Sequence, residues 1–281
     1  MAEALVLGGG GVAGIAWMTG LLAGLADAGQ DVTGADVIVG TSAGSTVGAQ
    51  LGSRLSLEEL YARQAEPERQ TAEIPADVDL ESFGAQLFAL LESASSLPDM
   101  RRAVGRFALD AETVSESERR AVIESRLPSH EWPARTLRFV AVDAETGEPR
   151  VFDSSSGVSL VDAVAASCAV PGIWPPATVH GRRYIDGGIR SNENADYAAG
   201  ATQVLVIAPL GTTQLFPSEK PLAKAIEELR AAGAGVAMIE PDEASRTAIG
   251  ANPLDPSTRT PAAEAGRAQG RRLKIEWSSP V

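Results

Sequence analysis

Short apolar runs alternate with longer helix-like segments at the start of the chain. Residues 4–8 and 35–39 are almost wholly apolar, which is typical of strands buried on both faces of a sheet. Each run leads through a turn into a helix-like segment, over residues 13–28 and 45–54 respectively. This order of strands and helices predicts parallel strands with helices packed against both faces of the sheet.

The character of the chain changes over residues 56–133. This block is rich in charged residues, favours helices and contains no strong strand pattern. Residues 80–91 place apolar side chains at helical spacing, and the Ser-Glu-Ser-Glu segment that begins at Ser115 is typical of a capped helix start. We therefore expect a helical, cap-like insertion between two parts of the sheet.

Strand patterns return after the insertion. Residues 137–142 and 150–152 predict a hairpin around Glu145-Thr-Gly-Glu148. The remaining predicted elements are strands at 178–180 and 182–185 paired across Gly181, buried strands at 203–207 and 236–240, and helices at 160–168, 219–232 and 261–271. The segment from Trp277 onward is expected to be loose. Together these elements predict an α/β fold with a mainly parallel central sheet between two helical layers.

Charge and composition narrow the range of functions. The chain has 24 Lys and Arg residues against 37 Asp and Glu residues, a formal net charge of −13. Nucleic-acid binding needs clustered cations, so nucleic acid is excluded as an expected partner. The same acidity gives no electrostatic attraction to an anionic membrane. A hydrophobic content of 44% is sufficient for a well-formed core.

Cysteine and histidine content bears on metals and disulfides. The single Cys168 excludes an internal disulfide framework and a cysteine-based zinc site, and two histidines do not favour a histidine-rich metal centre. Residues 4–26 are uncharged and long enough to span a bilayer, but seven glycines interrupt them, which favours a strand–loop–helix unit. No basic segment of the secretory type precedes them, so we expect a cytoplasmic location.

Gly40-Thr-Ser-Ala-Gly44 matches the pattern Gly-x-Ser-x-Gly. Ser42 stands where the second predicted strand gives way to a helix, which is the position of the serine in a nucleophile elbow. The flanking glycines permit a sharp turn, and the following helix N-terminus favours developing negative charge. An ordinary turn with a helix-capping serine is the alternative, and the motif alone leaves both open.

A second glycine-rich turn, over residues 8–14, also lies between a predicted strand and a helix. Gly9-x-Gly11-x-x-Gly14 formally matches a dinucleotide fingerprint, but the acidic residue expected near the end of the second strand is absent. The other use of such a turn is an oxyanion hole of backbone N–H groups, facing the same crevice as the serine turn. Tight packing alone does not require four glycines, and we favour the oxyanion hole.

A serine nucleophile needs a base, and the two histidines are weak candidates. His130 lies in a loop-like segment and His180 beside a predicted hairpin turn, so surface positions are the better interpretation for both. The order Ser, acid, His still leaves a triad open, with His180 and an acid such as Asp143 or Asp153.

Asp186 is the stronger candidate for the base. It follows a strand-like segment directly and precedes Gly187-Gly188, so it could lie in a cleft with close backbone approach. On spacing alone, a simple Asp-Gly turn is the favoured interpretation.

The order of these motifs resembles the patatin-like phospholipases, a family of lipid acyl hydrolases. A glycine-rich loop is followed by Gly-x-Ser-x-Gly around Ser42 and, much later, by Asp186-Gly-Gly. The segment Ala166-Ser-Cys-Ala-Val-Pro-Gly-Ile-Trp-Pro-Pro176 is similar to the family's proline-containing segment, and Asn192 resembles the asparagine that follows Asp-Gly-Gly. Three motifs in order are much more specific than any one of them.

The similarity covers about residues 4–54 and 137–210. It implies a three-layer α/β/α patatin-like domain over residues 1–275, with the helical insertion at about 56–133 and a tail over 276–281. It also implies catalysis by a Ser–Asp dyad without histidine.

In such a dyad Ser42 would be the nucleophile and Asp186 the base. The oxyanion hole would be formed by backbone N–H groups of Gly9, Gly10 and Gly11, helped by that of Ala43. Attack of the serine on an ester carbonyl would give an acyl-enzyme that water hydrolyses, and neither a metal nor another cofactor is needed.

The chain departs from the family pattern at Ala13, where the family usually carries Arg or Lys. We therefore expect hydrolysis of a lipid or other acyl ester, and not specific recognition of an anionic phospholipid head group. A catalytically inactive lipid-binding protein and a dinucleotide-binding domain remain the alternatives. Transient membrane contact and the oligomeric state are left open.

Apolar residues of the insertion are candidates to line an acyl tunnel, although packing on the sheet is the simpler interpretation for most of them. They are Phe83, Leu87, Phe88, Leu90 and Leu91.

Overall fold

The computed structural model describes residues 2–76, 80–212 and 216–276, with only the backbone of residues 80–83. Eight strands form one sheet: β1 (Glu3–Leu7), β2 (Val37–Thr41), β3 (Thr136–Asp143), β4 (Pro149–Phe152), β5 (Ala177–Val179), β6 (Arg182–Asp186), β7 (Gln203–Ile207) and β8 (Gly235–Ile239). The α-helices of the described chain are α1 (Gly11–Asp27), α2 (Ala43–Leu51), α3 (Leu57–Ala65), α4 (Leu80–Ser93), α5 (Leu97–Asp110), α6 (Glu116–Arg126), α7 (Leu160–Ser167), α8 (Leu222–Ala231), α9 (Glu243–Ile249) and α10 (Arg259–Arg272).

The sheet runs in the order β5-β6-β3-β2-β1-β7-β8, and β4 pairs with β3 outside this path. The central strands β3, β2, β1, β7 and β8 are parallel, whereas β4, β5 and β6 are antiparallel to their neighbours. The predicted α/β fold with a mainly parallel sheet is therefore confirmed, and so are both predicted hairpins.

Successive side chains of the strands enter two different helical layers, as the pleat of a sheet requires. On β1, Leu5 and Leu7 join the core cluster that also holds residues of α1, α2, α7 and α10. Ala4 and Val6 point the other way and pack with α8. A third cluster joins α5 of the insertion to Val142 and Ile185. These clusters pack helices against both faces of the sheet, which gives a three-layer α/β/α fold.

Strand β3 brings together two strand ends that are far apart in the sequence. It pairs in parallel with β2 as far as Thr41, which lies opposite Val140. It then pairs antiparallel with β6, and Asp186 lies opposite the next residue, Ala141. The ends of β2 and β6 therefore meet, and each carries a candidate residue of the site.

The apolar stretch over residues 4–26 is a strand, a glycine turn and a helix, as predicted. No helix in the described part of the chain combines the length and apolar character needed to cross a membrane. The sequence pattern missed α9, whose seven residues are too few to display a helical period. The expectation for the end of the chain from Trp277 lies outside the described residues.

Helices α1 and α10 pack with their backbones in direct contact. Each carries two glycines four residues apart, which places them on one helix face. A Cβ atom at any of the four positions would clash with a backbone carbonyl oxygen of the other helix: Gly20 with Ala263 at 2.0 Å, Gly24 with Arg267 at 2.2 Å, Gly266 with Trp17 at 2.3 Å and Gly270 with Leu21 at 2.4 Å. The absence of these side chains permits the close approach.

We predict that Gly20→Ala lowers the stability of the fold by about 1–3 kcal/mol, because the added methyl group forces α1 and α10 apart. The thermal midpoint measured by circular dichroism would report the loss. Gly84→Ala is the matched control, since a Cβ there meets no atom of the described chain within 4 Å. Its higher helix propensity predicts a gain of up to about 1 kcal/mol. An unchanged midpoint for Gly20→Ala would contradict this account of the helix pair.

Candidate active site

Ser42 stands on a strained turn between β2 and α2. Its backbone has φ 52° and ψ −116°, a conformation that L-residues rarely adopt. Both flanking glycines are sterically required. A Cβ at Gly40 would lie 2.7 Å from the Cα of Ser45, and one at Gly44 would lie 1.9 Å from the carbonyl oxygen of Leu7. The turn has the geometry that the sequence motif predicts.

Hydrogen bonds from the chain around residue 167 hold this turn in place. The backbone N–H of Ser42 donates to Ser167 Oγ (3.0 Å), and that hydroxyl donates to the carbonyl of Val140 on β3 (2.7 Å). The carbonyl of Ser42 accepts hydrogen bonds from Ser45 Oγ (2.7 Å) and Cys168 Sγ (3.1 Å). The strained backbone is thereby fixed to the sheet, and the side chain of Ser42 is not used in holding it.

Asp186 lies at the end of β6, and its carboxyl group is close to Ser42. Its backbone N–H donates to the carbonyl of Ala169 (2.9 Å), and Oδ1 accepts a hydrogen bond from the N–H of Gly188 (2.8 Å). Oδ2 is buried and makes no hydrogen bond of ordinary geometry to the described residues. The Ser42 hydroxyl is nevertheless near enough to stabilise the carboxylate. Contacts of this kind often shorten only when substrate is bound.

Burial raises the pKa of Asp186 from 3.8 to about 6. The Ser42 hydroxyl, the N–H of Gly188 and the positive charge of Arg119 oppose this shift, in that order of size. The carboxylate is therefore a stronger base than an exposed aspartate, yet it remains ionised at neutral pH. Those are the properties that a base acting directly on a serine hydroxyl needs.

Backbone N–H groups beside Ser42 are available to bind an anion. Those of Gly10, Gly11 and Ala43 make no hydrogen bond to the described residues. The N–H of Gly9, in contrast, donates to the carbonyl of Asn192 (2.9 Å). The expectation that Gly9 joins the oxyanion donors does not fit this geometry, because its donor is already used.

The glycine loop is also tightly packed by the protein itself. A Cβ atom at three of its positions would meet another part of the chain: Gly9 with Asn192 Oδ1 at 2.7 Å, Gly10 with Pro209 Cβ at 2.7 Å and Gly11 with the Pro253 carbonyl at 2.4 Å. Packing by itself therefore accounts for three of the four consecutive glycines. Protein atoms fill the space that the missing side chains leave, which gives no support to a dinucleotide at these positions.

Asn194 is a positioning residue that the sequence patterns did not reveal. It is fully buried in a left-handed backbone conformation, which asparagine tolerates better than most residues. Its side-chain amide donates to Thr41 Oγ1 (3.0 Å), to the carbonyl of Gly187 (3.2 Å) and to that of Ser191 (2.6 Å). It thus links the residue before Ser42 to the residue after Asp186.

Asn192 lines the cleft in front of Ser42. Its side-chain amide donates to Glu193 Oε1 (2.9 Å). Burial raises the pKa of Glu193 to about 7, and the hydrogen bond from Asn192 opposes this shift. Glu193 is a second buried carboxyl group beside the glycine loop that sequence reasoning missed.

The histidines lie away from Ser42. His130 is about half exposed, and a ring nitrogen lies 3.2 Å from a backbone carbonyl of α6. His180 is exposed in the turn between β5 and β6. Asp143 and Asp153 both accept hydrogen bonds from backbone N–H groups of their own turns. None of these four residues lines the cavities that open on Ser42.

Ser42 and Asp186 face a cleft of about 270 Å³. Its apolar walls include Leu87, Ile173, Ile189, Leu210, Phe216 and Leu254. Of the four insertion candidates whose side chains the structure describes, only Leu87 reaches this cleft. Phe88 is 61% exposed, Leu90 is partly buried, Leu91 packs against the cluster of α5, and the side chain of Phe83 lies outside the described residues.

Helix α6 of the insertion adds two buried arginines near Ser42, which sequence reasoning also missed. Arg126 forms two hydrogen bonds with the carboxylate of Glu73 (2.9 and 2.6 Å). Arg119 lies over the ring of Trp174, 3.9 Å from its centre. Both arginines border a small cavity beside Ser42.

Comparison with known proteins bears on the family. The family model described as patatin-like phospholipase matches residues 5–199. No curated protein matches the chain. Similar solved structures include VipD from Legionella pneumophila, with a TM-score of 0.46, 14% identity and coverage of 96% of this chain and 66% of VipD. The type III effector protein ExoU has a TM-score of 0.38 and 14% identity, with coverage of 99% of this chain and 55% of ExoU.

This chain thus spans less than two thirds of the length of either neighbour. The family match covers both glycine turns, the strand β3 that joins the site, and Asp186. It extends over more than half of the chain, and this protein belongs to the patatin-like phospholipase family.

Proposed function

We propose that this protein is a serine acyl hydrolase that cleaves lipid or other carboxylic esters. The observation that carries the proposal is the closeness of Ser42 and Asp186 at one cleft, next to backbone N–H groups that have no partner among the described residues. Membership of the patatin-like phospholipase family supports lipid as the substrate class.

In the first half of the reaction, Asp186 accepts the hydroxyl proton of Ser42 as Oγ attacks the ester carbonyl. The carbonyl oxygen becomes an oxyanion, and the N–H groups of Gly10, Gly11 and Ala43 are the donors proposed to stabilise it. When the tetrahedral intermediate collapses, the carbon–oxygen bond to the alcohol breaks. Asp186 gives its proton to the leaving alcohol, and an acyl-enzyme remains on Ser42.

In the second half, water takes the place of the alcohol. Asp186 accepts a proton from the water as its oxygen attacks the acyl carbonyl, and the same donors hold the second oxyanion. Collapse releases the carboxylic acid and returns the proton to Ser42 Oγ. One carboxyl group therefore serves both as base and as acid, which requires a pKa not far from neutrality.

The apolar cleft is proposed to hold the acyl chain. Its lining offers the chain a surface that excludes water, so burying each additional methylene contributes up to about 0.8 kcal/mol. Ala13 adds no cation to the glycine loop. The proposal is accordingly for an acyl-ester hydrolase, not for selection of an anionic head group by that loop.

We predict that a fluorophosphonate probe labels Ser42 and that Ser42→Ala and Asp186→Asn reduce ester hydrolysis by roughly 10⁴–10⁶-fold, the scale seen when a serine hydrolase loses its nucleophile or acid. Labelling followed by peptide mass spectrometry, with turnover of p-nitrophenyl esters, measures both effects. His180→Ala and Asp153→Asn are matched controls, and full activity in both is expected. Folded wild-type protein that is neither labelled nor active would favour the lipid-binding alternative instead.

The pKa of Asp186 predicts the pH dependence. Because the base is protonated below about pH 6, kcat/KM should fall about tenfold per pH unit below that value and level off above it. The folded state binds this proton more tightly than the unfolded state, so ionisation of Asp186 lowers stability as the pH rises from about 4 to 6. Asp186→Asn should therefore unfold at an equal or higher temperature at pH 7.5. A clear loss of stability in that variant would contradict the assigned pKa.

The cleft predicts a preference for long acyl chains. Specificity constants for p-nitrophenyl esters should rise with chain length by up to about fourfold per methylene until the cleft is full. Leu87→Asp should flatten this profile, because a charge would stand in the acyl path. Phe88→Asp is the control on the same helix, where the side chain is exposed to solvent. Equal profiles for both variants and wild type would place the acyl chain elsewhere.

A further inference from the structure

Arg119 is a buried cation without a hydrogen-bonding partner. The residue is only 7% exposed. Nε and Nη1 are both buried and unpaired. The face of the Trp174 ring lies 3.9 Å from the guanidinium carbon. The charges of Glu73 and Asp186 also act on Arg119, but neither carboxylate accepts a hydrogen bond from it.

Two other buried arginines nearby, unlike Arg119, form hydrogen bonds. Arg126 is held by both carboxylate oxygens of Glu73, and Arg259 donates to Gln64 and to backbone carbonyls. Burial and, next in size, the charge of Arg126 lower the pKa of Arg119 to about 9, and the interactions with Cys168, Glu73 and Asp186 oppose this shift only in part. A cation–π contact offsets only part of the penalty for burying an unpaired charge. The fold therefore keeps in place a buried cation whose charge is only partly compensated, and an anion that arrives during function would complete the compensation.

The place for that anion is the small cavity beside Ser42. Its volume is about 20 Å³, close to the space of one water molecule. Ser42, Gly11, Ala43 and Arg119 all border it. The N–H groups of Gly11 and Ala43 are among the unpaired donors of the site. A single oxygen atom of a bound substrate fits such a space.

We propose that Arg119 supplies the positive charge of the oxyanion hole, through N–H groups that donate to the carbonyl oxygen of the ester as it becomes negative. This inference rests on the proposed hydrolase function. During attack by Ser42 the carbonyl electron pair moves onto that oxygen, and the proton goes to Asp186. Arg119 forms and breaks no covalent bond, and it keeps its own protons throughout. The helical insertion thereby provides the cation that the glycine loop, with Ala13, does not carry.

The test compares Arg119→Gln, Arg119→Lys and wild type on a neutral p-nitrophenyl ester. Because the interaction strengthens only in the transition state, Arg119→Gln should lower kcat about 10²-fold while KM stays within about threefold. Arg119→Lys should retain part of the rate. Arg120→Gln is the matched control, since the neighbouring arginine is 40% exposed and pairs with Asp162 and Glu124 on the surface. It should keep the wild-type kcat.

Stability and analogue binding separate a catalytic role from a structural one. Because Arg119 is a buried charge that forms no hydrogen bond with the described residues, its removal should leave the melting temperature of Arg119→Gln unchanged or raised. An alkyl boronic acid, which forms an anionic tetrahedral adduct on the serine, should bind this variant about 10²-fold more weakly than wild type. If the glutamine variant fails to fold, the same two measurements on Arg119→Lys carry the test, with smaller losses expected.

Several outcomes would overturn the assignment. If the kcat of Arg119→Gln lies within threefold of the wild-type value, Arg119 does not stabilise the oxyanion. A rate loss that accompanies a lowered melting temperature, with no selective loss of boronate binding, would make Arg119 a structural residue. An effect confined to the KM of anionic esters would make it a substrate-binding residue. If ester hydrolysis requires Ser42 and Asp186 but not Arg119, this inference fails and the proposed function stands. If the wild-type protein shows neither turnover nor a boronate adduct, the proposed function fails as well.

Discussion

The change of partner along strand β3 is the constraint on which the candidate site depends. Adjacent residues of this strand, Val140 and Ala141, lie opposite Thr41 of β2 and Asp186 of β6. Ser42 follows Thr41 directly, so the sheet register alone brings the serine and the aspartate together. A shift of one residue in either ladder would turn one of these side chains to the other face of the sheet. The core on both faces of β3 holds that register.

Around this meeting point, the protein maintains several states that are unfavourable by themselves. Ser42 has a strained backbone, Asp186 is a carboxylate with little solvent, and Arg119 is a cation without a partner. The residues that surround them form regular hydrogen bonds and hold them in place. Ser167 and Cys168 tie the serine turn to the sheet, and Asn194 joins the two strand ends. Local strain at a site, supported by a regular surrounding structure, is typical of preorganised catalytic groups.

The distribution of charge in this chain shows why net charge is a poor guide to a buried site. The protein as a whole carries a net charge of −13, yet the cavity beside Ser42 is bordered by two arginines from one helix of the insertion and by one carboxylate, that of Glu73. Surface charges act through water and are screened, whereas a buried cation acts at full strength on its few neighbours. The insertion therefore influences the site in two ways, by adding Leu87 to the apolar cleft and by adding Arg119 to its polar end.

Local patterns in the sequence were sufficient for most of the secondary structure, for both glycine turns and for Ser42 and Asp186 as candidates. Such features depend on side-chain periodicity and on backbone freedom over a few neighbouring residues, which a sequence displays directly. Tertiary structure alone decided that the N–H of Gly9 is used by Asn192, that Phe88 faces solvent while Leu87 reaches the cleft, and that Arg119 is left unpaired. These outcomes depend on atoms from segments distant in the chain, such as Pro253 beside Gly11. No local pattern encodes such contacts, because packing and register, not sequence spacing, set the distances between those atoms.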